Sequence, residues 1–279
     1  MYPALSPGAV GLHVKNVEEA IRIAADAGFK GVEISAHEIA ELVEERGAAD
    51  VRALFHEAGV LPAGWGLPVE WRKDADTWEA GLQDLPRLAR AAQEIGCTRV
   101  STWVMPGSNE RPFQENYAFH VERFQPIARI LADHGCRLGL EFIGPKTLRD
   151  TQKYPFIYRM ADMLALGEEI GPNVGLLLDA WHWYTSGGTV EELRALKPEK
   201  VVYVHVNDAP EGVPVDRQVD NRRCLPGATG VINIGGFLKA LAEIGYDGPV
   251  VPEPFGNPAT WAGDAMRAIW KIAGLKLEG

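Results

Sequence analysis

Short apolar runs alternate with amphipathic stretches along this chain, and four of the runs end on a side chain able to hold a metal ion. They are Leu138–Glu141, Gly175–Asp179, Val201–His205 and Pro249–Glu253. Runs such as Leu176-Leu177-Leu178 and Val201-Val202-Tyr203-Val204 lack polar alternation. That pattern predicts strands buried on both faces, as in a parallel sheet covered by helices. The intervening stretches carry apolar residues at helical spacing. Val17, Ala20, Ile21 and Ala24 mark one face of a helix predicted from Val17 through Ala27, with Gly28 as its stop. Strands are expected at Ala9–Val14, Gly31–Ser35, Val60–Leu67, Thr98–Val104, Arg137–Phe142, Val174–Leu178, Lys200–Val206 and Pro249–Val251. The further expected helices cover Glu38–Glu45, Ala48–Ala58, Asp74–Ile95, Phe113–His134, Phe156–Ile170, Val190–Leu196, Ile234–Ile244 and Pro258–Ala273.

Eight strand–helix alternations imply parallel strands joined by helical crossovers. The expected fold is an α/β (β/α)8 barrel forming a single domain over residues 1–279; an open doubly wound sheet satisfies the same alternation. In such a barrel the carboxyl ends of the strands form the rim where active sites are built. Two long connections, Gly144–Pro155 and Asn207–Asn233, directly follow candidate metal ligands, and long loops at a rim shape binding sites more often than they merely connect.

Composition narrows the partners. Net charge is −10, which discourages nonspecific binding to nucleic acid or an anionic membrane surface. Cys97, Cys136 and Cys224 are far apart and lack metal-knuckle spacing, so neither a disulfide framework nor a zinc knuckle is expected. No long apolar span or secretory signal is visible, and a cytoplasmic location follows as an expectation. Nothing in the sequence sets the number of subunits, and a homo-oligomer is compatible with it.

The ordered set Asp179-Ala-Trp-His182, His205-Val-Asn207-Asp208, Arg223-Cys-Leu-Pro226-Gly227 and Glu253-Pro254, together with Glu141 in Leu-Gly-Leu-Glu-Phe, resembles the signature of xylose-isomerase-like barrel proteins. That group includes sugar isomerases and epimerases, inosose dehydratases and isomerases, and the endonuclease IV type of DNA-repair enzyme. The resemblance implies that Glu141, Asp179, His205 and Glu253 bind a metal. It implies that His182 faces the substrate and that Arg223 contacts a substrate oxygen, with the adjacent Arg222 one residue out of register. One departure stands out: Phe142-Ile143-Gly144-Pro145-Lys146-Thr147 replaces the segment on which ketose 3-epimerases carry a second carboxylate.

Three carboxylates and one imidazole suit one divalent ion, Mn²⁺ first in the absence of thiolates, with Mg²⁺, Co²⁺ or Zn²⁺ as alternatives. Such an ion polarises a carbonyl, and Glu141 and Glu253, from the fifth and eighth strands, are the expected proton carriers. The expected substrate is a small sugar, keto-sugar or cyclitol, and the expected reaction isomerisation or epimerisation through an enediolate. Metal-dependent β-elimination by a lyase is the main rival. A DNA-repair enzyme fits less well, because strands three and four end on Trp65 and Trp103 rather than on further ligands; a non-catalytic sugar-binding protein is the last alternative. Trp65, Trp103 and Lys146 are further candidates for substrate contact, against core packing for the tryptophans and a solvated lysine. Trp181 and Trp183 read more as packing. His13, at the end of strand one, reads more as core packing than as a site residue, and Glu33 and His37, near the end of strand two, read evenly as rim structure or substrate contact. Gly227-Ala228-Thr229-Gly230 reads as a turn.

Overall fold

In the computed structural model, which describes residues 1–276, the apolar runs form eight parallel strands. These are β1 (Tyr2–Leu5), β2 (Gly31–Glu33), β3 (Leu61–Gly66), β4 (Arg99–Val104), β5 (Arg137–Phe142), β6 (Val174–Asp179), β7 (Val201–Val206) and β8 (Pro249–Pro252). Each pairs with its neighbours in the chain, and β1 pairs with both β2 and β8, so the sheet closes into a barrel. Helices including Val17–Asp26, Ala75–Glu94, Phe113–Asp133, Met160–Ile170, Ile234–Glu243 and Ala259–Ile272 form the crossovers. No helix among the described residues is long and apolar enough to cross a membrane.

Successive side chains on a strand point to opposite faces, and this alternation decides what reaches the barrel mouth. Ala4, Ala63, Leu177, Tyr203 and Val251 form a small cluster of their own, while their strand neighbours Leu178, Val204 and Val250 join the large core cluster with residues of the helices. Asp179, His205 and Glu253 each stand two positions beyond a member of the small cluster. Glu141 is in register with Leu177. Gly64 makes room for the largest member: a Cβ there would come within 2.6 Å of the Tyr203 ring.

The first strand differs from expectation. Ala9–Val14 is not a strand; Gly8–Val10 is a 3-10 turn closed by Gly11 in the left-handed region, at φ 74°. The true β1 is the proline-containing Tyr2-Pro3-Ala4-Leu5. Proline lacks the N–H that a strand ladder uses, which hid this segment from a pattern-based reading. His13 is consequently exposed on the loop beyond the strand, and Ser6 follows β1 instead. His37 is also exposed, on helix Ala36–Arg46, 3.6 Å from Asp84. The helix expected from Phe156 begins at Met160; Tyr154–Pro155 pairs antiparallel with Gly107–Ser108 ahead of it.

Helix Phe113–Asp133 carries a buried histidine that sets a pH dependence. His120 packs 4.8 Å from the Phe156 ring and 5.1 Å from Trp71, and its Nδ1 donates to the Asn116 carbonyl at 2.6 Å. Burial pushes its pKa down to about 4, against the pull of that carbonyl and with help from Arg111 and Arg72. The unfolded chain therefore takes up a proton near pH 6.5 that the folded chain refuses until about pH 4. Stability falls as pH drops through that window. Between pH 7 and pH 5 this single group accounts for about 2 kcal/mol. Chemical denaturation at the two pH values should show wild type losing that much more than His120→Phe; equal losses would remove His120 from the account.

Candidate metal centre and active site

Four strands deliver four donors to one place. The ligand atoms of Glu141, Asp179, His205 and Glu253 all lie within 4.8 Å of one another. Donors bound ~2.0–2.2 Å from an ion stand at most ~4.4 Å apart, so a contraction of a few tenths of an ångström closes the set. Two buried atoms point to such an occupant: Glu141 Oε1 and His205 Nδ1 have no hydrogen-bond partner. They are 3.6 Å apart, and His205 Nδ1 is 3.3 Å from Glu253 Oε2. Unpartnered polar atoms at that depth are costly, and a cation coordinated by both would relieve the cost. Among the described residues this is the one group of its kind, which matches a single-ion site.

The local sequence holds each donor in position. Asp179 ends β6 and caps the short helix Ala180–Thr185; its Oδ1 accepts from Trp181 N at 2.6 Å and from Asn207 Nδ2 at 3.1 Å. Its Oδ2 accepts from Arg223 Nη1 at 2.7 Å. Asn207 belongs to the His-x-Asn-Asp motif, and Asp208 is that motif's anchor for the long loop. The Asp208 carboxylate is fully buried and accepts from the backbone N–H groups of Ala209, Thr229, Gly230 and Ile232. The expected turn at Gly227–Gly230 is thus tied to the end of β7, and with it the register of the loop. That register puts Arg223 inside and leaves Arg222 exposed.

Arg223 is 2% exposed at its side chain and clamps the cluster. Besides Asp179 it donates to Glu253 Oε2 at 2.6 Å and Asp220 Oδ1 at 2.9 Å, and it lies 3.2 Å from His182 Nε2. His182 Nδ1 accepts from Gly144 N at 3.2 Å, and its Nε2 stands about 4 Å from Glu141, Asp179 and Asp220. Gly144 is needed for this approach, because a Cβ there would collide with the His182 carbonyl and the Thr185 hydroxyl. The segment that departs from the epimerase pattern is therefore what seats His182.

Electrostatics follow from burial and these partners. Burial pushes the Glu141 carboxyl above its ordinary range, against the pull of His205 and His182. Burial pushes Glu253 the same way, but His205 and Arg223 outweigh it and hold the carboxyl below the usual range. For Asp179, burial is likewise overcome, by Arg223, His182 and His205. His205 is lifted well above a free imidazole because Glu253 and Glu141 overcome its burial.

A cavity of about 410 Å³ opens over the cluster, lined by Glu141, His205 and Glu253 and by Ser6, Glu33, Arg72, Ser101, Thr102, Trp103 and Phe255 among others. It falls within the ~300–1,000 Å³ range of small-molecule sites. Of the expected substrate contacts, Trp103 is here, 41% exposed at the cavity wall. Trp65 is not: its ring is buried in the large core cluster and donates to the Cys97 carbonyl at 3.1 Å. The reason is a break in the β2–β3 register, where Val32 pairs with Pro62 and Glu33 with Gly64: skipping Ala63 changes the strand's faces, so Gly64 faces Tyr203 and Trp65 turns to the helical side. Lys146 is exposed at the start of helix Lys146–Arg149 and pairs with Asp150. His182 and Arg223 sit behind the donors rather than at the cavity wall. Trp181 and Trp183 are buried in the core.

The sequence leaves Glu33 between rim structure and substrate contact, and it does not single out Phe255 or Arg72. Glu33 accepts from Ser6 Oγ and Tyr203 OH, both at 3.2 Å, and burial raises its pKa. Its position beside the cavity needed the correct β1. Phe255 is held at φ 51°, a strained conformation for an aromatic residue, and covers Arg223 at 4.7 Å. Arg72, after β3, has no motif of its own.

Comparison with known proteins agrees with this fold. A solved structure of a xylose isomerase domain protein from Alicyclobacillus acidocaldarius superposes with a TM-score of 0.86 at 31% identity, covering 98% of this chain and 99% of that one. An inosose isomerase from Bacillus velezensis is 24% identical over 254 residues, 88% of this chain and 86% of its own. A 3-dehydroshikimate dehydratase from Pseudomonas aeruginosa is 28% identical over 245 residues, 86% of this chain but 36% of its own length. The family model for xylose isomerase-like TIM barrels matches residues 21–272. The chain belongs to the xylose isomerase-like TIM barrel family.

Proposed function

We propose that this protein is a metal-dependent isomerase or epimerase of a small keto-sugar or keto-cyclitol. The observation that carries the reading is the convergence of Glu141, Asp179, His205 and Glu253 within 4.8 Å under an open cavity. These residues would hold one divalent ion, Mn²⁺ by preference for a set of three carboxylates and one imidazole. When bound, such an ion supplies Lewis acidity that polarises a carbonyl and acidifies the neighbouring C–H. Glu141 and Glu253 both line the cavity, and each has a carboxyl to take or return that proton. Arg223 and His182 order the donors from behind; Trp103 offers an apolar wall for a ring.

A lyase reading draws on two observations: the similarity to a dehydratase over most of this chain, and the absence of a further carboxylate in Phe142–Thr147. The two reactions share proton removal and differ in whether a leaving group then departs. The test is incubation of Mn²⁺-loaded protein with keto-inositols and ketohexoses in D₂O. The expected result is deuterium beside the carbonyl without loss of water, abolished by chelation and restored by Mn²⁺. An enone product assigns the lyase reaction, and no exchange with any of these compounds rejects both.

A further inference from the structure

The cavity holds one cationic side chain that the metal-capable cluster does not use. Arg72 lines the cavity beside Ser101, Thr102 and Trp103. Its guanidinium carbon lies 3.8 Å from the centre of the Trp103 ring and 4.5 Å from that of Trp71. Trp103 is in register with Glu141, so the stack stands one strand away from the cluster. Arg223 is engaged by Asp179, Asp220 and Glu253. Arg72 has no ion pair or hydrogen bond of that kind among the described residues; exposed Glu70 favours its charge only at longer range.

Charge matching sharpens the contrast. Glu141, Asp179, Glu253 and Asp220 face Arg223 and the site of one divalent cation, and none of these carboxylates pairs with Arg72. Contact with two aromatic rings holds the guanidinium in place while its N–H groups have no carboxylate partner among the described residues, and such a group suits a planar carboxylate. A phosphate carries nearly twice the charge, and a single guanidinium facing a cavity wall that also holds Glu33, Glu141 and Glu253 matches a monoanion better.

We propose that the cavity takes a keto-polyol bearing a carboxylate, bound by Arg72 at the end of the molecule remote from the carbonyl. This deepens the isomerase reading and rests on it for the placement of the carbonyl. The test compares compounds that differ only at that remote carbon: D-fructuronate with D-fructose, D-tagaturonate with D-tagatose, and D-fructose 6-phosphate as the phosphate arm. Binding to Mn²⁺-loaded protein is measured by titration calorimetry, and deuterium exchange in D₂O is measured separately.

Each ketohexuronate should bind about 10- to 100-fold more tightly than its ketohexose, the range of a charge-assisted hydrogen-bonded pair. In Arg72→Met the ratio should collapse to about one, and in Arg72→Lys part of it should survive, with circular dichroism confirming that both variants fold. A ratio near one in wild type overturns the proposal. So does a ratio that persists in Arg72→Met, tighter binding of the phosphate, or no binding of either ketohexuronate. Preferential binding without exchange refutes the isomerase reading and leaves the carboxylate site standing; exchange without preference does the reverse.

Discussion

Glu141→Gln and Glu253→Gln should each lower turnover by at least ~100-fold, the usual contribution of a positioned proton carrier. Glutamine keeps one oxygen that can approach a cation but has no carboxyl to exchange a proton. Both residues line the cavity, and their ligand oxygens share the cluster with His205 and Asp179. Because each has two duties, metal content must be measured beside turnover. A variant that retains one equivalent of metal and loses both turnover and deuterium exchange isolates the proton-carrying duty. A variant that retains metal and keeps near-normal rates strips that glutamate of its proposed role. The two need not fail alike, since burial dominates at Glu141 while His205 and Arg223 dominate at Glu253.

Arg223→Met should produce effects of opposite sign on stability and metal affinity. Its guanidinium bridges Asp179 Oδ2 and Glu253 Oε2 at 2.7 and 2.6 Å, and the Asp179 side chain is fully buried. Removing one partner of a buried pair leaves uncompensated charge, at a cost of about 3–5 kcal/mol. In chelator the variant should therefore unfold at lower denaturant than wild type by that amount. The same substitution takes a positive charge away from two of the four candidate ligands, so a divalent cation should bind the variant more tightly and recover much of the loss. Denaturation in EDTA and in Mn²⁺, with metal titration of both proteins, reads the two effects separately. Equal destabilisation with and without metal would make Arg223 a structural clamp with no influence on the ion. The sign distinguishes this from ordinary loss of packing, which a cation does not restore.

Seven of the eight strands and the four converging side chains are legible in the chain, because each depends on local pattern; the first strand is not, and the alternation fits an open sheet as well as the closed barrel that forms. An unbroken apolar run with one polar terminus places that terminus where the strand leaves the core, whatever the rest of the fold does. Asp179-x-x-His182 and His205-x-Asn207-Asp208 are equally local: one caps a short helix and the other ties a loop to its strand. What the chain alone left undecided was which face a side chain takes and which loops meet. Trp65 and Trp103 look alike as strand-end tryptophans, yet only Trp103 borders the cavity, since a shift of one residue reverses a strand's faces. Arg222 and Arg223 are neighbours in one loop, and only the Asp208 anchor and closure onto β8 turn Arg223 inward. Arg72 and Phe255 become candidates, and Glu33 is set beside the cavity, through the meeting of β1, β2, β3 and β8 at a common mouth. Local sequence set the donors because their positions follow from strand periodicity; the tertiary structure chose their surroundings because those come from segments remote in the chain.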